Sequence, residues 1–333
     1  MLAECMSLES NLINSADENH SLKTAKVYLW HMELVKQDRK GPNWWRQIDF
    51  LGMHLIPFFA IFTGTTAFDW ALCVFLYFAR MFFVTGGYHR YFSHRTFKTS
   101  RFFQFILAGG AQSSVQKGVL WWAANHRIHH KHSDTPDDPH SANVYGFWYA
   151  HMGWIMGPEY KPTRYDLIRD LKHRELYWLN KYHFVPPLVL AIAVWLIGNK
   201  VNGTGFFDWG AGVSTLLIGF FASTIFLFHG TFTINSLMHK IGKQRYKTGD
   251  QSRNSFILAI VTMGEGWHNN HHYYQSTARQ GFYWWEFDPT YYILRLLGFF
   301  GIVWDIRGVS EKIKESNKLG ADNELRPMSK AAV

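Results

Sequence analysis

The stretch WALCVFLYFARMFFVTGGYHRYFSH, residues 70–94, runs from an apolar segment directly into two histidines five apart. From Trp70 to Gly87 its one charged side chain is Arg80, and the run is close to the ~20 residues an α-helix needs to cross ~30 Å of hydrocarbon. His89 and His94 follow immediately, where such a helix would leave the bilayer. The expected fold is therefore all-α and integral to a membrane, with a polar site over one mouth of the bundle.

Three further apolar runs extend this reading. One covers about 50–66 and is separated from 70–87 by Ala67, Phe68 and Asp69; a later pair covers about 184–199, which opens on Pro186 and Pro187, and 209–230. About four transmembrane helices in two hairpins are expected. The connector 67–69 has no basic residue and the connector 199–208 has Lys200 alone. Setting Arg80 aside, the rest of the Lys and Arg lie beyond the other ends of the spans, which the positive-inside rule assigns to the cytoplasm together with both termini. Arg80 inside a span is costly unless it faces protein or snorkels. Residues 101–119 are too short and Gly-rich for a span and suit an interfacial or re-entrant helix. Residues 1–22 read as a disordered tail, 23–310 as the functional domain and 311–333 as a polar tail.

Composition narrows the class. Aromatic residues make up 18% of the 333 residues, as suits a chain lying partly at a membrane interface, while a mean hydropathy of −0.15 requires substantial mass in water. Cys5 and Cys73 form no C-x-x-C pair, which excludes a disulfide framework, an iron–sulfur site and a Cys-based zinc site. A formal charge of +9 with 34 Lys and Arg fits anionic lipid head groups or an anionic substrate; the scatter of these residues and the lack of a binding motif argue against nucleic acid.

The 18 histidines are the anomaly. His89 and His94 form H-x-x-x-x-H, and His126, His129 and His130 form H-x-x-H-H, as do His268, His271 and His272. On a helix, positions i, i+3 and i+4 share a face, yet the adjacent pair still diverges by about 100°. That divergence favours two neighbouring metals over one. His89 and His94 need a helix end or distortion to align, and Gly86 and Gly87 precede them. In the fourth span Thr231, Asn235 and His239 form an i, i+4, i+8 stripe, which adds His239 as a ninth histidine ligand and Asn235 as a ligand directly or through water. Imidazole suits iron, copper, zinc or nickel and excludes magnesium and calcium. No H-E-x-x-H occurs.

From roughly Trp44 to Arg307 the chain resembles the membrane acyl-CoA desaturases of the delta-9, or stearoyl-CoA, type. HRIHHKHSDTPDDPHSANVYGFWYAHMGW (126–154), NSLMH (235–239) and GEGWHNNHH (264–272) carry the resemblance. It implies a four-span bundle under a cytosolic helical cap with two iron ions, O2 as co-substrate, and the nine histidines as ligands with Asn235 joining through water. His140, Asp134, Asp137, Asp138 and Glu265 are then candidates to orient ligand imidazoles, the acids otherwise forming a solvated loop. Unlike the fused members of that group, the chain shows no cytochrome b5-like segment, so a separate ferredoxin-like or cytochrome b5-like carrier with its reductase is the expected electron donor.

Desaturation requires a narrow apolar tunnel that presents one carbon pair to the oxidant. Gln116, Thr231 and Phe232 are candidates for its wall, with Gln116 placed to meet Thr231. Arg127 and the run Lys161, Arg164, Arg169 and Lys172 are candidates for a phosphate-rich head group. A histidine-box hydroxylase of alkyl or lipid substrates and a metal-dependent membrane sensor or transporter are the competing readings; ionisable groups do not recur through the spans, which weakens the last.

Overall fold

The structure, a computed structural model, describes residues 48–156, 162–203 and 210–320. The expected disordered tail 1–22, residues 321–333, Lys161 and Trp209 lie outside the described residues.

The chain is mostly helical. Among the described residues three helices are long and apolar enough to cross a membrane: α2 (Ala67–Ser93), α5 (Val185–Asn202) and α6 (Ala211–His239). The run expected at 50–66 is a shorter helix, α1 (Phe50–Thr63). Pro57 sits in a 3-10 turn at Ile56–Phe59, and Gly64, at φ 70°, ends the helix. Its rise of about 20 Å falls short of a bilayer's hydrocarbon.

Ala67–Asp69 is not the connector it resembles in sequence. Thr66 caps α2: its hydroxyl accepts from Asp69 N at 3.2 Å and its own N–H donates to Asp69 at 2.9 Å, a reciprocal cap that starts the helix three residues earlier. Asp69 is fully buried and accepts from Thr215 and, at 3.1 Å, from Asn202. That cluster ties the starts of α2 and α6 to the end of α5. Proline at the first positions of α5 fits there because those N–H groups lack helical partners. α5 and α6 approach closely at Gly198 and Gly212, where an added Cβ would strike Thr215 and the Trp195 carbonyl. Arg80 faces protein: it donates to Thr224 at 2.7 Å, to Ser223 and to the carbonyls of Leu76 and Ser113.

Two helices brace the end of α2. α3 (Arg101–Gln112) starts at a Ser100 cap and lies against Phe83 and Gly87 through Gly110 and the Leu107 carbonyl. α4 (Val119–His132) follows; its unpaired first N–H groups are met from afar, by Gln112 at Val119 and by Asn180 at Leu120 and Trp121. The rest of the described chain is more irregular, with α7 (His268–Tyr273), α8 (Pro289–Phe299) and a small antiparallel pair, β1 (Lys98–Thr99) with β2 (Val303–Trp304), in which Lys98 opposes Trp304. The polar stretch after Arg307 docks on the segment after α6, with Leu319 N donating to the Arg245 carbonyl and Lys247 N to that of Asn317.

Candidate metal centre

α2 ends as a π-helix, Phe83–Ser93. Its i→i+5 pattern includes His94 N donating to the His89 carbonyl at 3.2 Å, so five residues make about one turn and bring both rings together, with centroids 4.8 Å apart. This widening is the distortion that the five-residue spacing requires. On α4, His126, His129 and His130 project from successive turns. On α7, His268, His271 and His272 are fixed by the two asparagines between them. Asn269 accepts from the N–H groups of Arg245 and Tyr246 at 2.7 and 2.8 Å, and Asn270 accepts from Asn254 at 2.8 Å. His239 closes α6 in a 3-10 turn, Leu237–His239.

The nine histidines divide into two groups that can each hold a metal ion. His89, His94, His126, His130 and His271 form one, and His129, His239, His268 and His272 the other, with donor atoms in each within 4.8 Å of one another. Nε2 pairs lie 2.9 Å apart in His89–His271 and His94–His126, 3.0 Å in His130–His271 and 3.1 Å in His239–His268. Metal–nitrogen bonds of ~2.0–2.1 Å at right angles place neighbouring donors about 3 Å apart. Hydrogen bonding alone does not explain the first group: a ring nitrogen offers one N–H or one lone pair, and His271 Nε2 meets two other nitrogens. The buried His272 Nε2 has no hydrogen-bond partner. The all-imidazole donor set fits a borderline metal.

Burial, reinforced by the neighbouring rings, pushes His94, His126, His130, His268 and His271 well below the usual imidazole value. Burial takes His272 down to about 4 even though Asp250 pulls it up. Neutral imidazoles are the form a metal takes.

Four ligand candidates are held from behind by a carboxylate on Nδ1, leaving Nε2 to point inward. His129 pairs with Asp138 at 3.0 Å, His239 with Asp134 at 2.9 Å, His272 with Asp250 at 2.6 Å and His89 with Glu265 at 2.6 Å. Burial works against the Asp134 carboxylate, but the His239 hydrogen bond and charge hold it at about 2; the same contest, won by His129, keeps Asp138 lower still. Sequence reasoning missed Asp250. It also missed Gln280, which donates to Glu265 at 2.8 Å, and Arg90, buried between Glu265 and Asp288 at 3.1 and 2.9 Å. The arginine directly after the first box histidine was the available signal. Gly264, at φ 114°, makes the turn before Glu265. His140 packs on His129 with ring centroids 4.5 Å apart and lies 3.7 Å from Asp138. Asp137 is not brought in: it is 59% exposed, and its recorded histidine partner is His132, outside both groups, at 3.9 Å.

Beside the five-histidine group lies a cavity of about 440 Å³ whose wall includes His126, Trp122, Gln116, Thr231, Phe232 and Asn235. Gln116 donates to Thr231 at 2.9 Å. Asn235 lines the cavity one turn before His239. All five N–H directions of Arg127 are used inside the protein, on the carbonyls of Ser93, Phe92 and Leu167 and on both oxygens of Asp170. It staples α4 to the end of α2. Arg164 is likewise paired, with Asp166 at 2.7 Å.

The fatty acid desaturase family profile matches residues 65–304. An acyl-CoA C20 Delta5-desaturase of Anemone leveillei is 35% identical over 83% of this chain and 88% of its own. An sn-1 stearoyl-lipid 9-desaturase of Anabaena variabilis is 34% identical over 84% of this chain and all of its own, and the Delta-9 acyl-lipid desaturase 2 of Arabidopsis thaliana is 33% identical over 92% and 97%. With membrane-length helices, two imidazole groups, one of them beside a largely apolar cavity, and a match over most of its length, the chain belongs to the fatty acid desaturase family of enzymes.

Proposed function

We propose that the two histidine groups hold a pair of iron ions, with Asn235 joining the four-histidine ion through water, and that the enzyme desaturates a saturated acyl chain using O2. The observation that carries this reading is the largely apolar cavity whose wall includes His126, a member of the five-histidine group. Two ferrous ions, when bound, supply the activation of O2. The residues of the chain do the rest. Asp138, Asp134, Asp250 and Glu265 hold four imidazoles in one tautomer, Nδ1–H outward and Nε2 inward. Gln116 and Thr231, bonded to each other, stiffen the cavity wall beside the proposed centre, and Trp122 and Phe232 keep that wall apolar so that a featureless chain is held by shape.

One O2 accepts two hydrogens from neighbouring methylenes, two electrons and two protons, and leaves as two waters. The electrons come from a separate ferredoxin-like or cytochrome b5-like carrier with its reductase, meeting the enzyme on its cytoplasmic face, where the termini also lie. A delta-9 bond is supported by the Anabaena and Arabidopsis relatives, a stearoyl-lipid 9-desaturase and a Delta-9 acyl-lipid desaturase. An acyl-CoA substrate is supported by the Anemone relative.

Iron-supplied protein is expected to contain about two irons per chain and to convert a saturated C16 or C18 substrate to an alkene, seen by mass spectrometry, once carrier and reductase are added. Offering the chain as a CoA thioester and as a glycerolipid identifies the carrier. An alcohol product would move the enzyme to the hydroxylases, and activity with a single zinc and no iron would refute the di-iron reading.

A further inference from the structure

The segment before the last histidine box, SFILAIVTM (255–263), carries a short helix, Phe256–Val261, whose outer face is wholly apolar. Ile257 is 73% exposed, and Ile260 and Val261 are exposed beside it. α8 adds a second exposed face on the same side of α2, with Leu296 and Phe299 exposed, Phe299 by 83%, and Arg295 as its one exposed charge, a side chain long enough to snorkel to the interface. In water, contiguous patches of this kind signal a partner.

Depth identifies that partner. Tyr77 donates to the Val261 carbonyl at 2.8 Å, and Thr85 bonds Thr290, near the start of α8, at 2.7 Å. Tyr77 stands about 15 Å and Thr85 about 25 Å along α2 from its capped end at ~1.5 Å per residue. Hydrocarbon beginning at that cap extends ~30 Å. Both contacts therefore fall inside the bilayer, Tyr77 near its midplane and Thr85 in the leaflet nearer the metal centre.

The backbone supports the same placement independently. Water satisfies loop carbonyls at a soluble surface, but hydrocarbon does not. Here the carbonyl of Val261 is taken by Tyr77 and that of Met263 by Thr290 N, while Gly264 N reaches the Ala259 carbonyl at 2.7 Å and Ser255 N that of Gly266 at 2.8 Å. The turn at the bottom of the segment is closed by protein groups.

We infer that Ser255–Met263 and the exposed face of α8 enter the leaflet on the metal-centre side, so that lipid acyl chains, not water, cover this flank of the cap. The test uses protein with Cys5 and Cys73 replaced by Ala and a single nitroxide-labelled cysteine, reconstituted in phosphatidylcholine vesicles. Ile257→Cys and Phe299→Cys are the probes, Ile260→Cys is the reserve on the same face, and Lys172→Cys is the water-exposed control. Collisions with O2 should relax the first two labels several-fold more than collisions with a water-soluble nickel chelate, with the order reversed at Lys172. Nickel relaxation at Ile257 or Ile260 equal to that at Lys172 would overturn the inference. So would shielding from both reagents, which would mean that another part of the chain covers the face.

Discussion

His272 turns Nδ1 to Asp250 and Nε2 into the four-histidine group, so one carboxylate fixes the aim of one proposed ligand nitrogen. Asp250→Asn should weaken iron binding or activity about 10–100-fold, measured by competition with a chelator, while Asp137→Asn, on an exposed acid outside both groups, should leave it near wild type. Arg127 gives a second contrast. Because its five donors bind protein, Arg127→Gln should lower the melting temperature in detergent without raising KM selectively for a phosphate-bearing substrate. The nine imidazoles were legible in sequence because helical spacing is local and repeats. Asp250 was not, since it lies 22 residues before its histidine on an irregular segment. The partners of Arg127 were not legible either, because charge is visible in a sequence and the carbonyls that take its N–H groups are not.

At the scale of elements, hydropathy located the apolar runs but not their ends, which depend on caps such as Thr66 and on breaks such as the turn at Pro57. The π-helix was legible only as a need, through the spacing of His89 and His94. Its packing makes a sharp prediction about neighbouring glycines on α3. An added Cβ meets nothing at Gly109 but lies 2.5 Å from the Phe83 ring at Gly110. Gly109→Ala should be neutral or stabilise by up to about 1 kcal/mol, whereas Gly110→Ala should destabilise by about 1–3 kcal/mol, read from melting temperatures. Deleting one residue within Phe83–Val84, which lets the π turn relax to an α turn, should disturb the angle between His89 and His94 and lower the iron content of the purified protein.

Across the whole molecule, the buried imidazoles make metal-free stability depend on pH. His94, His126, His130, His268 and His271 stay neutral in the folded chain well below 6.5, while the unfolded chain protonates them there. The unfolded state then binds more protons, so stability rises with pH. The melting temperature of metal-free protein should fall steeply from about pH 7 to about pH 5. Asp134 and Asp138, whose carboxyls are depressed, keep their contribution over that window and lose it only in stronger acid. A mostly helical chain with membrane-length apolar helices followed from the sequence, although the first of the four expected spans is too short. The immersed flank at 255–263 did not, because a short apolar run looks the same in a core, in a leaflet and in a strand. The division of the donors also sets an order of events during synthesis. Each group takes histidines from both early and late parts of the chain: His271 completes one, His268 and His272 the other, and the segment to Leu319 braces Arg245 behind them. A nascent chain that has not yet emerged past His272 lacks the full donor set of either group, so under the proposed function loading of both groups would follow synthesis of all three membrane-length helices.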